Sequence, residues 1–271
     1  MDGGTDTMKT PHLFEHEAMN TVFSLRIIES SESHAREVAL AAFALLDSIE
    51  QKLSRYIEGS DVWQINHLES GQKLFLSDAT HECLLLSLKA SEMTGGLFDV
   101  SLGHRIDHYK SEETGPPPPE TGKLHILPDR PAIHCETAGR ALDLGGIGKG
   151  YALDQMQDLL KDWNIENALL CAGSSTQLAL GSQAWPISLE TNPQKQVHQL
   201  KNQALSASGT ATQGAHIVSP YESESTFPHP RIWVIHSSAA LADAFSTAAL
   251  LMQPDELKAL EAHAQVLTPV G

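Results

Sequence analysis

Cysteine is scarce in this chain: Cys83, Cys135 and Cys171 stand far apart, and no pair has metal-ligand spacing. An odd number of scattered thiols argues against a disulfide framework or a zinc module and fits reduced cysteines in a cytosolic protein. Basic residues are also few. The 18 Lys and Arg against 34 Asp and Glu leave a formal net charge of −16. That balance argues against nucleic acid and against anionic membrane surfaces as partners, since both attract cations. No apolar run approaches the length of a membrane span. The opening Met1-Asp2-Gly3-Gly4-Thr5-Asp6 lacks the basic region and apolar core of an export signal, so a cytoplasmic location is expected. No internal repeat is apparent.

The 271 residues, 41% hydrophobic and 19% charged, suit one large or two small globular domains. Their most concentrated feature is Ala141-Leu142-Asp143-Leu144-Gly145-Gly146-Ile147-Gly148-Lys149-Gly150-Tyr151-Ala152. An apolar run ends in an acid, four glycines follow within six residues, and a helical pattern begins at once. Such a strand-loop-helix lets backbone approach a ligand closely and offers helix amides to an anion. Two familiar loops are ruled out. Gly148-Lys149 is followed by Gly150, where a P-loop needs Ser or Thr. The residue three after Gly148 is Tyr151, where the dinucleotide fingerprint needs glycine. A glycine turn that only packs a helix closely on a strand remains an alternative. Any phosphate-bearing ligand here must be held against an adverse global field, by a divalent metal or by helix N-termini.

Around this loop the pattern is mixed. Phe23, Leu25 and Ile27 alternate as one face of a strand over residues 22–27. Val38, Ala42, Leu45, Ile49 and Leu53 fall at helical spacing, after an acidic tract from Glu29 to Glu32 that reads as a solvated turn. Ser77 or Asp78 caps a second helix with Leu84, Leu85, Leu88 and Met93, stopped by Gly95-Gly96. Ala152, Met156, Leu159, Leu160 and Trp163 form the apolar stripe of the helix after the glycine loop, with Met156 and Trp163 read as core. Ala168–Ala172, Leu178–Leu180 and Trp185–Leu189 read as a strand meander, and Ile232–Ile235 as another strand. Ala239–Met252 reads as a buried helix and Asp255–His263 as a final short one. Residues 110–122, with Pro116 to Pro119 among acids, read as a solvated insertion or subdomain seam. Helices and strands do not alternate strictly, so the fold class is α+β, mixed sheets with packed helices.

Four more segments carry chemistry. Gly96-Leu97-Phe98-Asp99 places an acid just beyond a helix end. Ser206-Ala207-Ser208-Gly209 reads as a small-residue turn. His216-Ile217-Val218-Ser219-Pro220 puts a histidine before a proline-ended extended stretch. Asp243 and Thr247 stand one turn apart on one helix face, within an alanine-rich helix. A carboxylate in so apolar a helix needs a partner. A hard cation such as Mg2+, bound by carboxylate and hydroxyl, is one reading. An acid near a helix N-terminus favoured by the helix dipole is the other.

Taken in order, these segments resemble the FAD:protein FMN transferases, the ApbE family. Met19-Asn20-Thr21 resembles the family's opening Met-Gly-Thr strand. Leu53-Ser54-Arg55-Tyr56, with Ser60 and Asn66, resembles its Leu-Ser-x-Tyr signature. Gly96–Asp99 resembles its Gly-Ala-Phe-Asp element. Asp143–Ala152 matches its Asp-Leu-Gly-Gly-Ile-Ala-Lys-Gly-Tyr-Ala core with Gly148 for alanine, and Asp243–Thr247 lies in its Ala-Asp-Ala-Leu-Ser-Thr-Ala element. The resemblance implies an ApbE-like domain over residues 19–252, with 1–18 an N-terminal extension and 253–271 a C-terminal helix and tail. It implies Mg2+-dependent transfer of FMN from FAD to a Thr or Ser hydroxyl of an acceptor flavoprotein with a Ser/Thr-Gly-Ala-Thr-like motif, leaving AMP. By motif match, Met19, Tyr56, Leu97, Phe98, Asp99, Gly145, Tyr151 and Ile217 would line the FAD site. The Gly148 carbonyl, Asp243, Ser246 and Thr247 would hold the metal, and His216 falls where the family places its general base.

The chain departs from the family in three places. Gly173-Ser174-Ser175 stands where the family has Gly-Gly-Asp. Ser219-Pro220-Tyr221-Glu222-Ser223 replaces Asp-Pro-x-Thr-Gly, and the stretch from Ser208-Gly209 to His216 is short. The FAD and metal elements are thus better kept than the acceptor side. Two alternatives follow: an FAD pyrophosphatase giving FMN and AMP, and a non-catalytic FAD-binding protein.

Overall fold

A computed structural model describes residues 10–28, 31–111, 115–190, 195–210, 217–221 and 227–268. The chain begins with a hairpin, β1 (His12–Ala18) and β2 (Thr21–Ile28), with Ala18 opposite Thr21. The two turn residues have φ of 50° (Met19) and 57° (Asn20), the left-handed pair that matches a two-residue turn to the strand twist. β1 lies inside the expected extension 1–18, and it pairs with β2 along its whole length.

α1 (Glu32–Leu53) starts at Ser31, whose side chain accepts from the His34 amide. Glu32 is therefore a first-turn acid that favours the helix dipole, not part of a turn, while residues 29 and 30 lie outside the described residues. α2 (Asp61–Asn66) and β3 (Lys73–Phe75) lead to α3 (Asp78–Met93). Ser77 caps α3, and Gly95 and Gly96, at φ of 60° and 83°, end it. α4 (Gly103–Lys110) precedes the proline-rich stretch, of which residues 112–114 are outside the described residues. The expectation of a wholly solvated segment holds only in part, because Glu120 folds back and accepts from the Arg105 amide at 3.3 Å.

β4 (Lys123–Leu127) and β5 (Ala132–Thr137) pair with β3 as a small antiparallel sheet, order β3-β5-β4. The glycine loop then enters α5 (Gly148–Asp162). Next come β6 (Asn167–Ala172), β7 (Thr176–Leu180), β8 (Trp185–Glu190), β9 (Lys195–Leu200), β10 (Ala204–Gly209) and β11 (Arg231–His236). α6 (Ala239–Ala249), α7 (Pro254–Leu260) and β12 (Gln265–Leu267) complete the chain. Among the described residues the main sheet has seven strands, ordered β1-β2-β6-β7-β10-β11-β12 and antiparallel throughout.

The sheet is covered on both sides over its centre. Phe23, Leu25 and Ile27 are fully buried on the inner face, in register with Ala172, Leu170 and Ala168 of β6. The stripes of α1, α3, α5 and α6 pack against that face in one core. Each fully buried side chain of this size contributes about 1.5–3 kcal/mol before conformational entropy is charged. On the outer face the β8–β9 ribbon lays Trp185, Leu189 and Leu200 over Leu169, Cys171, Leu205 and Trp233. This double covering makes all six residues of β6 buried.

Four local expectations are corrected. Ser206-Ala207-Ser208-Gly209 is no turn: it belongs to β10, pairing with both β7 and β11. β8 does not continue the meander but pairs with β9 in a ribbon of its own. Trp163 is the C-cap of α5, 37% exposed, and tilts against His34 instead of entering the core. α6 ends at Ala249, and Leu250 to Met252 leave it as a turn. The three cysteines are buried and unpaired. Among the described residues no helix is long and apolar enough to cross a membrane.

Candidate functional site

The glycine loop stands between two clefts. The larger, about 280 Å³, is walled by Leu97, Phe98 and Asp99 on one side and by Ser174, Ser175, Ser208 and Gly209 on another. Ile217 and Val218 close a third side, and Asp243 and Thr247 of α6 also face it. The smaller, about 140 Å³, is formed by Met19 and Asn20 of the hairpin turn, Glu50 of α1, and Ser54, Arg55 and Tyr56 after it. Asp143, Gly145 and Lys149 line both. Two loop residues and one from the first turn of α5 thus form a common wall.

Local bonds explain how the loop keeps this shape. The expected strand before the loop is only an isolated bridge, Ala141 with Leu102. Asn66 clamps this extended segment, accepting from the Leu142 amide at 2.7 Å and donating to the Leu142 carbonyl at 3.0 Å. Ser60 caps α2, which carries Asn66, by accepting from the Trp63 amide. Asp143 Oδ1 accepts from the Gly145 amide at 2.8 Å, and Lys149 Nζ donates to the Gly145 carbonyl at 3.1 Å. None of the four loop glycines has positive φ. Their value is close approach. A Cβ on Gly146 would stand 3.1 Å from the Phe98 ring and 3.3 Å from Thr247 Oγ1, and one on Gly150 would overlap the Ala239 carbonyl oxygen.

The last contact brings α5 and α6 together and gives Asp243 its surroundings. The carboxylate is 5% exposed. Its Oδ2 accepts from the Gly150 amide at 3.2 Å, and its Oδ1 from Ser206 Oγ at 3.1 Å and Thr176 Oγ1 at 3.3 Å. The anion at the N-terminus of α5 is therefore Asp243 of the chain itself, so the Gly150 amide is not left for a ligand. Asp154, further along α5, accepts from Ser238 Oγ and from the Ala239 and Ala240 amides, which fixes where α6 starts. Burial raises the pKa of Asp154 above the usual carboxylate value despite these bonds.

The site residues expected from the sequence fall into five groups. Leu97, Phe98, Asp99, Ile217, Asp243 and Thr247 meet in the larger cleft, Met19, Tyr56 and Gly148 in the smaller, and Gly145 in both. Ser246 is buried and lines neither cleft. Its hydroxyl donates to the Asp243 carbonyl and meets Ser206 and Ser208. Tyr151 also lines neither cleft: it is 1% exposed, its hydroxyl donates to Glu82 at 2.9 Å, and burial followed by Glu82 drives its pKa far up. His216 lies outside the described residues, and Ile217 directly follows it.

Several lining residues were missed by sequence reasoning. Lys110, Lys149 and Arg231 bring positive charge to the larger cleft of an acidic protein. Ser208 and Gly209 reach it from a strand whose composition reads as a turn. Arg55 sits inside the Leu-Ser-Arg-Tyr match, but nothing local announces its partners Asp107 and Asp143. Among the described residues no three His, Cys, Asp or Glu side chains group as a metal centre. Oxygen donors of mixed type remain: the carboxylate of Asp243 and the hydroxyl of Thr247 on one cleft wall.

The fold and this paired cleft define an α+β protein built around a shared glycine-rich wall. The chain belongs to the ApbE family, whose model matches residues 19–268. It is 25% identical over 170 residues to a Klebsiella pneumoniae protein named FAD:protein FMN transferase, covering 58% of this chain and 53% of that one. The chain thus spans about half the length of that relative. A protein of the same name from Buchnera aphidicola is 24% identical over 239 residues, covering 76% and 70%. The apo flavinyl transferase ApbE of Pseudomonas stutzeri has the same fold, with a TM-score of 0.83 at 21% identity over 100% of this chain and 94% of that one.

Proposed function

We propose that the chain is an FAD:protein FMN transferase, moving FMN from FAD to a Thr or Ser hydroxyl of an acceptor flavoprotein with a Ser/Thr-Gly-Ala-Thr-like motif and releasing AMP. The observation that carries this reading is the pair of clefts sharing one wall with Lys149 on it. FAD has two ring systems joined by a pyrophosphate. Such a ligand places one ring system in each cleft and its phosphates at the wall between, beside a cation. The relatives' names point the same way.

In the transfer, the acceptor hydroxyl oxygen attacks the phosphorus on the FMN side of the pyrophosphate. A new P–O bond forms, the bond to the AMP phosphate breaks, and AMP leaves with the electron pair. His216 is assigned the hydroxyl proton, a role that suits an imidazole near neutrality. Mg2+ fits the donors present, because Asp243 and Thr247 offer hard oxygens on the larger cleft. When bound, the ion neutralises the pyrophosphate and favours departure of AMP. Ser246 meets Ser206, whose hydroxyl donates to the Asp243 carboxylate, and Lys149 draws the phosphates to the wall.

The test is intact mass of an acceptor bearing the threonine motif after incubation with the protein, FAD and Mg2+. An FMN-sized gain, abolished by EDTA and by Asp243→Ala, is the expected result. Mg2+-dependent release of AMP and free FMN without a gain would replace transfer by hydrolysis. FAD bound with no product would make the chain a flavin-binding protein.

A further inference from the structure

Arg55 joins three segments, its own turn after α1, the helix α4 and the glycine loop, yet no role in the reaction has been given to it. Its Nη1 donates to Asp143 Oδ2 at 3.2 Å and to the Gly103 carbonyl at 3.1 Å, and its Nη2 meets Asp107 Oδ2 at 2.5 Å. The Arg55 and Asp143 side chains are 11% and 10% exposed, whereas Asp107 is 48% exposed. Arg55 keeps its charge: burial opposes it, but Asp107 and Asp143 outweigh burial and raise its pKa.

Asp143 creates a problem for an anionic ligand. It lines both clefts, and its Oδ1 is needed to hold the Gly145 amide. A shielded carboxylate that faces the phosphates of a bound ligand repels them strongly, since screening by water is weak there. The Oδ2 atom is the one that meets Arg55. A planar guanidinium neutralises that oxygen and ties it to α4 in one geometry, which a lysine does as a point charge only.

We propose that Arg55 is a positioning residue that cancels the charge of Asp143, so that the glycine loop keeps its Asp143–Gly145 bond and still accepts a pyrophosphate. The proposal rests on the FAD reading. It makes the cost of losing Arg55 depend on the charge of the ligand, which a purely structural role does not.

The experiment measures binding of FAD and of riboflavin, which has no phosphate, to wild type, Arg55→Met, Arg55→Lys and the double variant Arg55→Met/Asp143→Asn, with thermal melts alongside. Arg55→Met weakens FAD binding about tenfold or more and riboflavin binding far less. Arg55→Lys loses part of the FAD affinity. The double variant regains most of it, because the asparagine that replaces Asp143 still accepts from the Gly145 amide and carries no charge. Equal loss for both flavins, FAD binding unchanged in Arg55→Met, or a double variant as weak as Arg55→Met would each overturn the proposal. An Arg55→Met protein that does not fold leaves the Arg55→Lys and double variants to decide by the same comparison. Wild-type protein that binds riboflavin and FAD equally weakly would instead overturn the flavin-nucleotide reading on which the proposal stands.

Discussion

The Gly150 amide donates to the Asp243 carboxylate at 3.2 Å, across a contact in which α5 and α6 approach too closely for any side chain at position 150. A Cβ there would overlap the Ala239 carbonyl oxygen, and that atom is backbone and cannot swing away. Gly150→Ala is therefore expected to push the helices apart at a cost of about 1–3 kcal/mol, the usual range for overpacking. Thermal melting reads the loss. FAD and Mg2+ binding should weaken with it, because the same contact places Asp243.

Met19 has a left-handed backbone and a side chain on the smaller cleft. Its amide donates to Glu50 Oε1 at 2.8 Å, which holds the turn to α1. For a residue with a Cβ this conformation costs about 1–2 kcal/mol. Met19→Gly removes that strain, offset in part by the greater freedom of glycine in the unfolded chain. The melting temperature should hold or rise, while FAD affinity falls with the lost cleft wall. Loss of melting temperature without loss of affinity would show that Met19 serves only the hairpin.

The segment 217–221 is pinned at its far end. Tyr221 donates its hydroxyl to the Gly95 carbonyl at 2.6 Å, and Arg105 Nη1 donates to the Pro220 carbonyl at 3.2 Å. Gly96 leaves room for this, since a Cβ there would overlap the Tyr221 hydroxyl oxygen. The bond thereby ties the wall carrying Ile217 to the turn carrying Leu97 and Phe98. Tyr221→Phe loses one hydrogen bond, about 0.5–1.5 kcal/mol, and should weaken FAD binding severalfold. Gly96→Ala should do the same. In a double-mutant cycle the two effects should be less than additive, since each breaks the same contact.

His236 supplies a pH dependence. Its Nδ1 accepts at 2.9 Å from the amide of Ser238, the N-cap of α6. Burial lowers its pKa below 6.5; the Ser238 backbone and Asp154 act in the opposite sense, and Lys89 and His263 add to the lowering. The unfolded chain thus binds the proton first, so this contribution is full above the ordinary histidine value and is lost as pH falls through it. Melting temperature should drop between about pH 7.5 and 5.5, and His236→Gln should flatten that part of the curve. An unchanged slope in the variant would assign the dependence to other histidines.

What the sequence determined was local and periodic. Phe23, Leu25 and Ile27 form one buried strand face, Ser77 caps the helix that Gly95-Gly96 ends, and the glycine loop enters α5, because each signal lies within a few residues of its effect. The ordered motifs were legible for the same reason and led to the family. Pairing across the chain decided the rest. Ser206–Gly209 reads as a turn by composition, yet it is a strand because β7 and β11 flank it. Tyr151 shares a motif with the cleft residues, but the direction of its side chain from α5 sends it to Glu82. Arg55 and Asp143 are 88 residues apart, and no local pattern records that a helix end and a glycine loop will share a charge. Periodicity tells which face of an element is buried. Only the packing of elements decides which two buried or half-buried groups meet, and so where this protein holds a ligand.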